Sequence, residues 1–142
     1  MTYEKYKIDL KASMALYHRN RKHIEKKQCY VNVYRTYFGI PLRTASALRI
    51  AYGYVSLGDS FPNMYARHAF FLDETNNVID PTFGLFPDKT LREYMVFYIF
   101  DSAQEYVDAI ERENCMPSLC AYLRKYEHEF LKNAPLDCVF MG

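Results

Sequence analysis

Three residues in the sequence carry side chains suited to acyl chemistry: Cys29, His68 and Asp80. Cys29 stands where a helix is predicted to begin, and a thiol there lies at the positive end of the helix dipole, which favours the thiolate. His68 and Asp80 lie on the two arms of one predicted β-hairpin. Taken singly, each has a structural explanation: a buried cysteine, a core histidine whose hydrogen bonds are satisfied, and a turn at Asp80-Pro81.

The predicted hairpin decides whether the histidine and the aspartate can meet. Its arms are residues 65–72 and 78–83, joined by the turn residues 73–77. A loop of three residues (74–76) or five (73–77) pairs Phe70 with Asp80, which places Asp80 diagonal to His68 at about 7–8 Å between backbones. A loop of two or four residues sends the two side chains to opposite faces.

The elements around these residues predict an α+β protein with an antiparallel sheet packed against helices. Tyr30, Val33, Tyr34, Tyr37 and Phe38 form one apolar helical stripe that starts beside Cys29, and Gly39 and Pro41 end that helix. A strand remains the alternative there, because aromatic and β-branched residues are frequent. Further predictions are a helix over 9–27, a strand over 48–56, a fully buried strand over 94–100, a helix that begins at the capping box of Ser102, and a helix over about 117–132.

Several short motifs, in this order, resemble the transglutaminase-like (papain-like) cysteine superfamily. They are the helix-opening Cys29, Gly39-Ile40-Pro41-Leu42-Arg43, Ala51-Tyr52-Gly53-Tyr54-Val55, His68-Ala69-Phe70 and Ile79-Asp80-Pro81-Thr82, within residues 28–84. The resemblance implies a papain-like core with Cys29 as nucleophile, His68 as base and Asp80 as the third member of a triad. It implies a thioester acyl-enzyme that passes to water or to an amine, as in a protease, amidase, deamidase or acyltransferase.

The sequence departs from the superfamily pattern in its aromatic residues. Phe70 replaces the usual Trp after His-Ala, and the chain contains no Trp. The proposed chemistry needs an oxyanion donor beside the backbone N–H of Cys29, and the Trp side chain that related enzymes often use for this purpose is absent. The Arg-Gly-Gly signature of arylamine acetyltransferases is absent before Cys29, which argues against acetyl-coenzyme A as donor. Candidates for the oxyanion donor are Gln28, His23, Tyr52 and Tyr54.

Composition and charge predict one ordered domain over residues 1–142. Half of the residues are hydrophobic, and 18 Lys plus Arg face 17 Asp plus Glu. Residues 1–50 carry 11 basic against 3 acidic residues, so the remainder is acidic. We interpret this asymmetry as two complementary parts of one domain, and nucleic acid is not expected as a partner. A catalytically idle fold that binds protein or nucleic acid is the alternative function.

No cofactor or metal ion is expected from the motifs. The spacing of Cys115, Cys120, His128 and Cys138 matches no common zinc site, and no Gly-rich phosphate loop is present. The first seven residues contain no apolar core of signal-peptide length, so we expect free thiols in the cytoplasm. The longest apolar run, residues 94–100, is too short to cross a bilayer, so no membrane segment is expected. The expected partner is a peptide or another amide-containing substrate. Residues 56–64 and 84–89 flank the predicted site and are expected to shape its pocket.

Overall fold

The structure is a computed structural model that describes residues 4–86, 92–114 and 117–142. Along the chain, helices come first, a sheet follows, and two further helices and a short strand end the described part. The described helices are α1 (Leu10–Asn20), α2 (Cys29–Gly39), α3 (Leu42–Ala45), α4 (Ala103–Arg112) and α5 (Arg124–Lys132). The strands are β1 (Arg49–Ser56), β2 (Met64–Leu72), β3 (Val78–Ile79), β4 (Tyr94–Ile99) and β5 (Val139–Met141).

The five strands form one sheet in the order β3-β2-β1-β4, with β5 also paired to β2. β1 pairs with all but the first residue of β2 and is antiparallel to it. The other edge of β2 is shared, because β3 pairs with Phe71 and Leu72 at one end and β5 pairs with Met64–Ala66 at the other. The predicted α+β class and antiparallel sheet are confirmed for β1 to β4. β5 runs parallel to β2 and was not predicted.

Helices and an extended N-terminal segment cover the two faces of the sheet. On one face, Val33 of α2 packs with the fully buried side chains of Ala69 and Phe71. On the other face, Phe70 and Leu72 pack with partly buried side chains of the segment before α1. Complete burial of one such aromatic or leucine side chain stabilises the fold by about 1.5–3 kcal/mol. Because both neighbours of His68 on its face are apolar, the core fixes the position of the strand that carries it.

Gly53 lets β1 and β4 approach closely at the point opposite His68. The two residues are direct partners in the β1–β2 pairing, and the β1–β4 register shifts between Tyr52 and Gly53. A Cβ atom on Gly53 would lie 1.8 Å from the carbonyl oxygen of Met95. Only glycine therefore allows the irregular strand pairing beside the candidate site.

The predicted helix over 9–27 is shorter in the structure. α1 ends at Asn20, and a single 3-10 turn, Arg21–His23, follows it. Lys27 then has a positive φ of 60°, which no α-helical residue adopts. The sequence-based interpretation was wrong here because basic residues with high helix propensity continue past the end of the apolar periodicity.

Two other boundaries also differ from the prediction. The third strand ends at Ile79 rather than at residue 83, because Asp80 begins a turn in which its carboxylate accepts the N–H of Thr82 at 2.9 Å. The last helix begins at Arg124 rather than near residue 117, because Cys120 has extended backbone (ψ 142°) and a 3-10 turn follows it.

β4 was predicted to be fully buried and is not. Its first two residues, Tyr94 and Met95, are buried, and its other four are half-buried. β4 lies at the edge of the sheet order, and beyond β1 the described residues add only a single bridge, from Tyr6 to Tyr94. The continuous apolar run over residues 94–100 therefore corresponds to an edge strand and not to a central one.

Candidate active site

His68 and Asp80 meet across the β2–β3 hairpin. Phe71 pairs with Ile79 and Leu72 with Val78, so the connection has five residues, 73–77, and Phe70 lies opposite Asp80. The predicted parity is confirmed, and the His68 Nε2 atom lies 2.8 Å from Asp80 Oδ2. Both residues are buried, with 6% of His68 and none of Asp80 exposed.

The five-residue connection is stabilised by its own side chains. Asp73 Oδ1 accepts the N–H groups of Thr75 and Asn77, each at 2.9 Å. Asn76 adopts a positive φ of 63°, a conformation that asparagine tolerates better than most residues. These local interactions set the loop length, and the loop length sets which side chains face each other.

The carboxylate of Asp80 is saturated with hydrogen-bond donors. In addition to His68, Oδ2 accepts the Tyr94 hydroxyl at 2.7 Å, and Oδ1 accepts the N–H of Thr82 at 2.9 Å and its hydroxyl at 2.7 Å. Burial alone would raise the pKa of Asp80, but the charge of His68 and these hydrogen bonds lower it below its ordinary value. Asp80 is thus held as a buried anion.

The backbone of Asp80 is fixed by α1. Its N–H donates a 2.9 Å hydrogen bond to Ser13 Oγ, and Ser13 is fully buried. The hydroxyl of Ser13 thus gives a partner to an N–H that the short strand β3 leaves without a ladder bond. Sequence reasoning missed both Ser13 and Tyr94, because neither belongs to a local motif with Asp80.

His68 is the second member of the buried pair. Burial alone would lower its pKa, but the charge and hydrogen bond of Asp80, together with hydrogen bonding to Cys29, raise it to about 10. Nε2 faces Asp80 and lies 3.2 Å from Thr82 Oγ1. Because these two groups engage Nε2, the ring nitrogen left for another partner is Nδ1.

Cys29 is the first residue of α2 and is half-buried. The side chain of Gln28, at the N-cap position, makes no capping hydrogen bond. The thiol therefore lies beside uncapped N–H groups at the positive end of an 11-residue helix, where a negative charge is stabilised. Its interaction with His68 brings a thiol, an imidazole and a carboxylate into one contiguous group.

A cavity of about 560 Å³ opens over Cys29 and His68. Its volume lies within the range of small-molecule sites, about 300–1,000 Å³. Charged side chains form part of its wall and apolar side chains another part. Its described lining consists of Glu25, Lys26, Lys27, Cys29, Tyr30, Asn32, Ala66, Arg67, His68, Thr82, Leu85, Phe86 and Gly142.

The loop that leads into Cys29 is held by Asn32 of α2. Asn32 Oδ1 accepts the N–H of Glu25 at 2.9 Å, and its Nδ2 donates to the carbonyl oxygen of Glu25 at 2.7 Å. Asn32 is 1% exposed, so this pair of hydrogen bonds is shielded from water. The loop also contains the positive φ of Lys27. Sequence reasoning did not identify this role, because Asn32 was interpreted only as a polar residue beside the apolar stripe of the helix.

The four oxyanion candidates do not line this cavity. Tyr52 is buried against Phe100, and the Tyr54 hydroxyl donates to Glu127 at 2.8 Å. Gln28 and His23 are exposed. These residues were chosen by position in the sequence, and the fold directs their side chains elsewhere.

Tyr30, which follows Cys29, is a cavity residue that sequence reasoning assigned only to the apolar stripe. Its ring packs edge-to-face on Tyr52, with centroids 4.7 Å apart. Its hydroxyl oxygen is buried and has no hydrogen-bond partner among the described residues. Burial and the nearby Cys29 thiol raise its pKa, so the hydroxyl keeps its proton and can act as a donor.

Arg67, the neighbour of His68 on β2, links the site to α5. Its Nε and Nη2 atoms donate to the two oxygens of Glu127 at 2.6 Å and 2.9 Å. The same carboxylate accepts the Tyr54 hydroxyl. Because this bidentate pair is largely buried, it fixes the cavity wall more firmly than an exposed ion pair would.

Some residues named in the sequence predictions lie outside the part of the chain that the structure describes. Cys115 and residues 87–89 of the predicted pocket segment lie outside the described residues. Cys120 is buried, with its thiol 3.4 Å from the carbonyl oxygen of Ala109.

Within the described ranges, no group of three or more His, Cys, Asp or Glu side chains is placed to hold a metal ion. In the same ranges, no helix has both the length and the apolar character needed to cross a bilayer.

Comparisons of the chain with protein-family models, with curated proteins and with solved structures found no match. The resemblance to the transglutaminase-like superfamily therefore rests on the sequence motifs and stays a prediction.

Proposed function

We propose that this protein is a cysteine-dependent enzyme that breaks or exchanges an amide bond through a thioester intermediate. The observation that carries the proposal is the buried His68–Asp80 pair, 2.8 Å apart, at the wall of a cavity that also contains the thiol of Cys29. A nucleophile, a base within reach of it and a third group that orients the base are the requirements for such chemistry. The proposed fold is the transglutaminase-like variant of the α+β class, which the order of the motifs supports.

The proposed first half-reaction forms the acyl-enzyme. In the resting pair His68 already holds the thiol proton as an imidazolium, in keeping with its raised pKa, and Cys29 Sγ attacks the carbonyl carbon to form a C–S bond. The negative charge that develops on the carbonyl oxygen is stabilised by N–H groups at the start of α2, with the buried and unpartnered Tyr30 hydroxyl as a candidate side-chain donor. His68 then donates its proton to the amide nitrogen, the C–N bond breaks and the amine leaves.

The second half-reaction returns the enzyme to its starting state. Water or a second amine loses a proton to His68 and attacks the thioester carbon. The C–S bond breaks, which restores the thiolate beside the imidazolium of His68. Asp80 remains ionised throughout and keeps Nε2 protonated, because its four donors stabilise the charged carboxylate.

Limited alkylation with iodoacetamide at neutral pH, followed by peptide mapping, tests the proposed nucleophile. We expect Cys29 to react at least about tenfold faster than the other three cysteines, because only a thiolate is nucleophilic. Cys138 is the matched comparison, since it is also half-buried, while burial and the neighbouring Asp137 raise its pKa. Equal or slower labelling at Cys29 contradicts the proposal and favours a catalytically idle protein that binds partners.

Two variants and one substrate extend this test to the base and to turnover. His68→Ala should slow the labelling of Cys29, and His68→Gln, which retains a donor towards Asp80, should slow it equally if proton transfer is the cause. With p-nitrophenyl acetate we expect a rapid release of one equivalent of nitrophenolate and an acetyl adduct on Cys29. Cys29→Ser should abolish both, whereas Cys138→Ser should retain both.

A further inference from the structure

A second cavity adjoins the one that contains Cys29. Its volume is about 310 Å³, and it shares the wall formed by Ala66, Arg67, His68 and Phe86 with the first cavity. The two cavities therefore adjoin beside His68. A substrate whose amide lies against Cys29 has the second cavity next to it.

The described lining of the second cavity is largely apolar. Val55, Leu57 and Phe61 contribute from the end of β1 and the loop after it, and Phe86 contributes from the opposite side. Among the described residues of this lining, Arg92 is the guanidinium that is not shared with the first cavity; it lies 4.7 Å from the centroid of the Phe86 ring and donates to the carbonyl oxygen of Ser56 at 2.9 Å. The Phe86 ring and the backbone of Ser56 thus take up part of its charge.

We propose that this second cavity is a specificity subsite that binds one large apolar side chain, aromatic or branched, next to the scissile amide. The inference rests on the proposed function, in which Cys29 is the nucleophile. Its volume is at the lower limit of small-molecule sites, about 300 Å³, which suits a single side chain rather than a whole ligand. The substrate class is therefore a peptide or peptide-like amide with an apolar residue at this position.

The experiment compares alkylating agents that share one reactive head and differ in the attached arm. The reagents are iodoacetamide, its N-(2-phenylethyl) derivative and its N-(2-carboxyethyl) derivative, and the readout is the rate of modification at Cys29 by peptide mapping. We expect the phenylethyl reagent to react at least about tenfold faster than the carboxyethyl reagent, because burial of an apolar arm favours its complex. At Cys138 the two reagents should react at similar rates.

Two variants assign this preference to the cavity. Phe61→Ala removes an apolar wall residue that is 52% exposed, so its effect on folding is small, and the phenylethyl-to-carboxyethyl ratio should fall about threefold or more. Phe38→Ala, which removes an equally exposed aromatic outside both cavities (51%), should leave the ratio unchanged.

The outcomes separate this inference from the proposed function. Suppose that iodoacetamide labels Cys29 preferentially, but the phenylethyl-to-carboxyethyl ratio is near one or is unchanged in Phe61→Ala. This result overturns the subsite and retains Cys29 as the nucleophile. Failure of iodoacetamide to select Cys29 overturns the nucleophile and the subsite with it. A raised ratio that falls in Phe61→Ala and not in Phe38→Ala supports the subsite.

Discussion

Asp80→Asn changes the charge of the buried pair without changing its size. Oδ2 of the carboxylate accepts from His68 and Tyr94, and Oδ1 accepts twice from Thr82. Whichever position the amide nitrogen takes, it faces one N–H and one hydroxyl. The hydroxyl can rotate to accept, but the N–H of Thr82 cannot, and Nε2 of His68 can accept only if it gives up its proton. The variant therefore leaves a buried donor without a partner or removes the charge of His68.

The cost of this substitution depends on pH, because the pKa of His68 is raised to about 10 by Asp80 and Cys29 against the effect of burial. A raised pKa in the folded state stabilises the protein fully below the unfolded value of about 6.5, and this stabilisation is lost as the pH rises through 10. For the asparagine variant we expect a loss of about 4 kcal/mol in the free energy of unfolding at pH 6. Near pH 10 the charge of His68 contributes little in either protein, so the loss should fall to at most that of one mismatched hydrogen bond, about 1–3 kcal/mol.

Urea denaturation at several pH values measures this difference, and iodoacetamide labelling measures its consequence at Cys29. At pH 6.5 an ordinary thiol is only about 1% thiolate. Without a protonated His68 the variant should therefore label at least about tenfold more slowly than the wild type. Asp73→Asn is the matched control on the same hairpin, since Asp73 Oδ1 alone accepts three of its hydrogen bonds and survives as the amide oxygen. An asparagine variant at position 80 that is as stable as the wild type at pH 6 and labels equally fast would refute the reasoning.

Three further substitutions test the elements around the site. Asn32→Ala removes both hydrogen bonds to Glu25 and should cost about 1–3 kcal/mol by urea denaturation, with slower labelling of Cys29 because the loop before it is less fixed. Glu127→Gln should lower stability by about 3 kcal/mol, because Arg67 keeps its largely buried charge and loses the bidentate partner, and added salt should not restore it. Gly53→Ala should cost more than about 3 kcal/mol or abolish soluble expression, because the added Cβ meets backbone that cannot move aside; stability equal to wild type would show that the strands shift freely.

The hairpin was predictable because its determinants are close in sequence. Residues 73–77 fold on themselves through the side chain of Asp73, and alternation along β2 and β3 then sets the faces. The meeting of His68 and Asp80 follows from that parity alone. Local interactions of this kind can be read from sequence spacing, because few competing arrangements satisfy them.

The partners of the pair were not predictable in the same way. Tyr94 reaches Asp80 from β4, and Ser13 reaches it from α1, 67 residues earlier in the chain. Nothing in the spacing of these residues distinguishes them from other buried polar side chains. Similarly, β5 has only three residues and pairs in parallel, so it carries no alternation long enough to indicate a strand.

The environment of His68 and Asp80 affects the orientation of their side chains more than it affects the stability of the fold. A buried ion pair gains little net stability, since loss of hydration offsets most of its attraction. What the surrounding hydrogen bonds provide is orientation: Ser13 fixes the backbone of Asp80, Tyr94 and Thr82 fix its carboxylate, and the carboxylate fixes the imidazole. The chain of hydrogen bonds ends at His68, which lines the cavity that also contains the helix-terminal thiol of Cys29. The proposed proton exchange with Cys29 requires an imidazole held in a defined direction, and these hydrogen bonds supply that orientation.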